Sequence, residues 1–249
     1  MTGQHFALLL SVLIGVSLGA LGGGGSIITL PVLVYVAGIA PKAAVGMSMA
    51  IVGGTSLLGS YLHSRRGNFA LRTAIYFCVA GMFGAYAGSL GTHLVPSKVL
   101  LLSFAALMFI VGTLMFVGKQ PVVRPGASHS PAVCLPAGFA VGVMTGFLGV
   151  GGGFLIVPAL VWLTGLDTKK AVGTSLAIIA FNSASGIAGQ ARYASWDWGL
   201  TALFVIAALA GMGFGVSIAT RTPDRALRKA FAVMVLLVAT AMTWRTLRN

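Results

Sequence analysis

Displaced by 127 positions, the sequence lies on itself. Gly22 falls on Gly149, Gly24 on Gly151, Gly25 on Gly152, Pro31 on Pro158, Gly38 on Gly165 and Lys42 on Lys169. The pairs Ala44/Ala171, Val45/Val172, Gly46/Gly173, Ser48/Ser175, Ser56/Ser183, Gly59/Gly186 and Arg65/Arg192 follow without a gap. About 19 of the 47 positions from Gly19 to Arg65 match their partners, well above what shared hydrophobicity gives. Such a chain is built from two copies of one unit. The units read as residues 1–118 and 132–249, joined by a polar, proline-containing linker over 119–131.

Neither unit can face water. Hydrophobic residues make up 57% of the 249 and charged residues only 8%, against about 25% charged in a soluble domain. The chain reads as an all-α polytopic membrane protein. Its net charge of +13 does not signal nucleic acid. Arg65, Arg66, Lys169, Lys170, Arg225, Arg228 and Lys229 fill gaps between apolar runs, where basic residues set topology and meet lipid headgroups. The N-terminal "MTGQH" lacks the basic region of a cleavable signal peptide, so the first span is expected to act as its own insertion signal.

A helical span needs about 20 apolar residues. Runs of that kind cover roughly 6–22, 43–62, 70–92, 98–117, 132–149, 170–190, 197–219 and 225–244. Two shorter apolar pieces, about 26–38 and 153–165, follow the glycine clusters. If they do not cross, each repeat has four spans, the repeats are parallel, and lysines and arginines divide eight and eight. If they cross, each repeat has five segments and the repeats are inverted. Arg65, Arg66, Arg72, Lys119, Arg124, Lys169, Lys170, Arg221, Arg225, Arg228 and Lys229 then share one side, leaving five opposite. Positive-inside bias favours inversion.

Four consecutive glycines, Gly22, Gly23, Gly24 and Gly25, precede Ser26 inside an apolar run, and Gly149, Gly151, Gly152 and Gly153 repeat the pattern. Each glycine costs a helix interior about 1 kcal/mol relative to alanine. In a bilayer a broken helix is tolerated only against protein or a water-filled cavity. A helix restarting after the break presents free N–H groups and a positive dipole end, which suit an anion. Close helix packing is the alternative use of such glycines. In the next span, Ser48, Thr55 and Gly59 share a stripe at 100° per residue, as do Ser175, Asn182 and Gly186. Ser56 and Ser183 lie beside them. These stripes are candidates to line a pathway with neutral donors, or to bond helix to helix. Asn182 stands out, because a mid-span amide is costly without a partner.

No Asp, Glu, Lys or Arg lies deep within a span, so no carboxylate-based proton relay or sodium site is visible. His5, His63, His93 and His129 fall at span ends or in the linker and read as solvated boundary residues. Cys78 and Cys134 read as small buried hydrophobes. Trp196 and Trp198 read as an interfacial belt, and Asp224 as a cap or first-turn residue of the last helix. A serine protease would want a histidine base within a span, and an aspartyl protease two intramembrane aspartates; neither is present. No enzyme, metal site or cofactor is expected.

The duplicated glycine cluster followed by proline, then "AVGMS" and "AVGTS", resembles the TauE/SafE sulfite exporter family, also called the 4-toluene sulfonate uptake permease family. The resemblance covers nearly the whole chain. It implies a multi-pass plasma-membrane carrier, usually prokaryotic, for sulfite, sulfoacetate or another organosulfonate. It carries the motif positions onto Gly22 to Ser26, Gly149 to Gly153, Ser48 and Ser175. Gly23 is matched by Val150 and Ser26 by Gly153, so the half-sites are expected to be unequal. The expected partners are a small anionic substrate and the lipid bilayer. Proton or sodium coupling and a homodimer are both compatible with the sequence, and so are two rival readings, an anion channel and a non-transporting scaffold.

Overall fold

In the computed structural model the described residues are 2–117, 130–149, 151–191 and 196–248, without the side chains of 2–5, 117 and 228. Lys119, Arg124, His129, Val150 and Arg192 lie outside them, as do most of the linker and the side chains of His5 and Arg228.

The first half comprises α1 (Thr2–Leu21), α2 (Gly24–Pro31), a π-helical turn (Val32–Val36), α3 (Pro41–Ser64), α4 (Leu71–Gly91) and α5 (Ser97–Val117). The second comprises α6 (Pro131–Leu148), α7 (Gly153–Thr164), α8 (Thr168–Gln190), α9 (Trp198–Arg221) and α10 (Asp224–Arg248). Three helix starts recur at the 127-residue spacing: Pro41 and Thr168, Leu71 and Trp198, Ser97 and Asp224. The positions at which these helices begin are therefore kept in both halves, although the residues that start them differ: Asp167 and Asp197 cap their helices where Ala40 and Ala70 stand in the first half. Among the described residues seven helices, α3, α4, α5, α6, α8, α9 and α10, are long and apolar enough to cross a membrane. In α1 the apolar stretch is Phe6–Leu21.

Small residues draw the helices together. On α4 and α6, Phe77 meets Gly138, Gly81 meets Gly142 and Ala85 meets Gly146, so the two run parallel. On α1 and α9, Val12 meets Gly211 and Val16 meets Gly215, again in parallel. Glycines four residues apart let backbones approach closely enough for dispersion to hold helices without a hydrophobic driving force. A further interface is antiparallel: along α3 and α8, Met49 meets Gly186, Gly53 meets Ser183, and His63 meets Gly173. Gly54 opposite Val205 and Gly59 opposite Met212 set α9 parallel to α3.

Helices α1 and α3 thus both run with α9. The segment from Gly24 to Val36 must return the chain between them, and its 13 residues cover about 20 Å at 1.5 Å per residue. The π-helical turn follows Pro31, which has no N–H to give its helix, and Ala37 N–H closes on Val32 O at 2.9 Å. Pro158, at the matched position, sits inside the continuous helix α7; proline alone does not impose the wide turn.

Candidate functional site

Both glycine clusters interrupt helices where the sequence places them. After Leu21, Gly22 adopts φ +67°, in the left-handed region, which costs other residues about 1–2 kcal/mol. Its N–H donates to Leu18 O at 2.8 Å, and α2 restarts at Gly24. In the second half, Gly149, Gly151 and Gly152 all have positive φ (69°, 62° and 76°), and α7 restarts at Gly153. Three left-handed residues against one make the breaks unequal, in line with the sequence differences at these positions.

The restarted helices begin without caps. Gly23 and Gly152 occupy the N-cap positions and supply no side-chain acceptor. By contrast, α8 and α9 are capped by Asp167, accepting from Lys170 N at 2.8 Å, and Asp197, accepting from Leu200 N at 2.9 Å. The first turn of any helix leaves N–H groups without a helical acceptor. Here those turns are buried, at Gly24, Gly25 and Ser26 and at Gly153 and Phe154. Ser26 Oγ does not cap; it donates back to Gly23 O at 2.6 Å.

The two breaks, 127 residues apart in sequence, touch. A Cβ added at Gly23 would lie 1.9 Å from Gly153 C and 2.0 Å from its O, and one at Gly153 only 2.3 Å from Gly23 Cα. The two breaks meet backbone against backbone.

Hydroxyls from the core helices reach the breaks. Ser175 Oγ lies 2.7 Å from the position of a Cβ on Gly22 and donates to Val172 O at 2.8 Å. Ser183 Oγ lies 2.9 Å from the corresponding position on Gly151 and has no hydrogen-bond partner. Ser48, Ser56 and both polar atoms of Asn182 are likewise buried and unpartnered. Such groups forfeit hydration unless a water or ligand meets them. Thr55 is satisfied by Ile51 O on its own helix at 2.6 Å. The two stripes do not simply face one another: Asn182 points at Gly81 on α4, with Oδ1 2.6 Å from a Cβ built there, and Gly149 is met by Val45 rather than Ser48. Ser183, outside the stripes in the sequence, is the side chain nearest the second break with a free donor. Its duplication with Ser56 was the available signal.

His63 requires a correction. It is 1% exposed, not a solvated boundary residue. Its Nε2 lies 3.0 Å from Gly19 O, three residues before the first break, and its Nδ1 is buried without a partner. The carbonyls that end an interrupted helix need donors, and the second half meets this need differently. Thr92 Oγ1 donates to Phe147 O at 2.8 Å and receives Gln190 Nε2 at 3.3 Å. His63 and Gln190 are matched across the 127-residue spacing, so polar residues at equivalent depths were the missed signal. Lys42 and Lys169 also act alike: Nζ donates to His93 O at 2.9 Å and to Thr220 O at 3.3 Å, respectively. The tryptophans separate. Trp198 is 61% exposed, as a belt residue should be, whereas Trp196 packs its ring over Gly46 of α3.

No group of three or more His, Cys, Asp or Glu able to hold a metal occurs among the described residues. What converges on the breaks is a set of neutral donors, two buried helix N-termini and their backbone amides. That arrangement attracts negative charge without supplying a fixed counter-ion.

Long apolar helices, with two breaks at buried glycines, define a multi-pass membrane protein. The chain belongs to the sulfite exporter TauE/SafE family, whose model matches residues 7–242. It is 36% identical over 244 residues to a "Probable membrane transporter protein" of Xylella fastidiosa strain 9a5c, covering 94% of this chain and 92% of that one. It is 26% identical over 230 residues to "Probable membrane transporter protein YdhB" of Bacillus subtilis, covering 90% and 93%. No solved structure gives a significant match.

Proposed function

We propose that the chain is a secondary carrier that exports a small sulfur-containing anion (sulfite, sulfoacetate or another organosulfonate) across the plasma membrane by alternating access. The observation that carries this reading is the meeting of two buried, uncapped helix N-termini beside the unpartnered hydroxyl of Ser183. A sulfonate or sulfite group offers several oxygens to such donors, and helix N-termini bind anions of this kind. The family name adds the substrate class. In the proposed site, backbone amides where the helices restart, at Gly24–Ser26 and Gly151–Gly153, hold the anion, with Ser175 and Ser183 as side-chain contacts; Thr55 bonds Ile51 O and Asn182 is turned to Gly81.

Inverted repeats would let one half move against the other around a fixed site. The antiparallel run of the matched helices α3 and α8 supports inversion. So does the eleven-to-five division of basic residues that inversion implies.

The test is flux by purified protein in proteoliposomes. Sulfite, sulfate, sulfoacetate, thiosulfate and chloride are compared with and without proton and sodium gradients. Saturable flux with counterflow for one sulfur anion is expected, and its response to a gradient identifies the coupling ion. Non-saturating flux would make the protein a channel, and absence of flux for every sulfur anion would overturn the substrate class.

A further inference from the structure

We propose a binding site for an anionic phospholipid between α10 and the broken helix α2, distinct from the glycine breaks. At the end of α10 a cavity of about 560 Å³ is lined by Val34, Tyr35, Trp244, Arg245 and Arg248. Arg245 lies over the Tyr35 ring at 5.7 Å and donates from one guanidinium nitrogen to Tyr35 O at 3.2 Å. Arg248 lies over the Trp244 ring at 4.8 Å. The Tyr35 hydroxyl is itself fixed by a hydrogen bond with Thr246. The rings and the carbonyl hold both guanidiniums in place while leaving further N–H donors free, since each carries five. Among the described residues neither arginine has an acidic partner, Lys170–Asp167 being the one ion pair there. Two oriented guanidiniums suit a phosphate, which arginine can engage bidentately.

A second feature chooses a lipid over a free anion. Tyr35 and Arg245 also line an adjoining groove of about 260 Å³ whose other walls include Ile28, Pro31, Val32, Val238, Ala241 and Met242. Its lining is almost wholly apolar, and α10 beside it exposes Leu237 and Trp244. In a helix that crosses the bilayer, such residues face acyl chains, and Trp244 sits where interfacial tryptophans anchor. A phosphate head on Arg245 and Arg248 therefore leaves a tail lying in the groove, against Pro31 and the π-helical turn. The bound lipid would rest on the part of α2 that must shift if the break opens.

The experiment follows thermal unfolding of the purified full-length protein in neutral detergent, titrated with phosphatidylglycerol, phosphatidylcholine or inorganic phosphate. Phosphatidylglycerol should raise Tm at far lower concentration than phosphatidylcholine, and inorganic phosphate should have no effect. The double variant R245Q/R248Q should weaken the preference for phosphatidylglycerol by about 30-fold, from two basic contacts with an anionic headgroup. Ala241→Trp, at an exposed position, fills the groove and spares both arginines; it should remove most of the same shift. Equal effects of the two lipids, or an undiminished preference in both variants, would overturn the proposal. Stabilisation by inorganic phosphate alone would replace the lipid site with a free-anion site.

Discussion

Gly23 has no side chain where the two breaks touch, and Gly23→Ala tests that contact directly. Its φ of −83° and ψ of −11° are ordinary helical values, so alanine meets no backbone strain there. The new Cβ would stand 1.9 Å from Gly153 C. Ordinary contact begins near 3.4 Å, so the two breaks must separate by about 1.5 Å. The obstructing atoms are backbone and cannot rotate away. Overpacking of this kind costs about 1–3 kcal/mol. If transport must pass through this contact, that penalty slows turnover by roughly 5- to 150-fold. The assay is initial flux in proteoliposomes, normalised to folded protein by size-exclusion chromatography. Gly38→Ala is the control: Gly38 has φ +71° but nothing within 4 Å of an added Cβ. It should lower stability by about 1–2 kcal/mol and leave flux per folded molecule unchanged. Wild-type flux in Gly23→Ala would refute the argument that the contact belongs to the transport cycle.

Ser183→Ala removes a hydroxyl that no protein group uses. Thermal stability should hold or rise, while half-saturation for the substrate increases about tenfold or more, from one lost hydrogen bond to a charged group; an unchanged half-saturation would remove Ser183 from the site. His63→Ala should destabilise by about 2 kcal/mol or more through the emptied volume and the orphaned Gly19 carbonyl. His63→Gln, which installs the residue found at matched Gln190, should recover much of that loss in a denaturation series. Asp197→Ala removes the cap of α9 and should cost about 1 kcal/mol of stability with flux per folded molecule intact.

Where the helices lie and where they break follows from local features of the sequence. Composition and the length of apolar runs are local properties, and a bilayer leaves backbone polar groups few alternatives to a helix. Glycine acts locally too, so both breaks were legible as Gly22–Gly25 and Gly149–Gly153, and the 127-residue repeat showed that they belong together. What each residue meets depends instead on how the helices pack. A 13-residue apolar piece does not announce whether it returns the chain; the parallel run of α1 and α3 does. Helical spacing put Ser48, Thr55 and Asn182 on candidate faces. Yet Asn182 faces α4, Thr55 bonds its own helix, and Ser183 reaches the second break. His63 looked like a boundary residue because its depth depends on α1 and α8 packing over it. Burial and partner choice are set by elements distant in sequence, and hydrophobic periodicity carries no record of them.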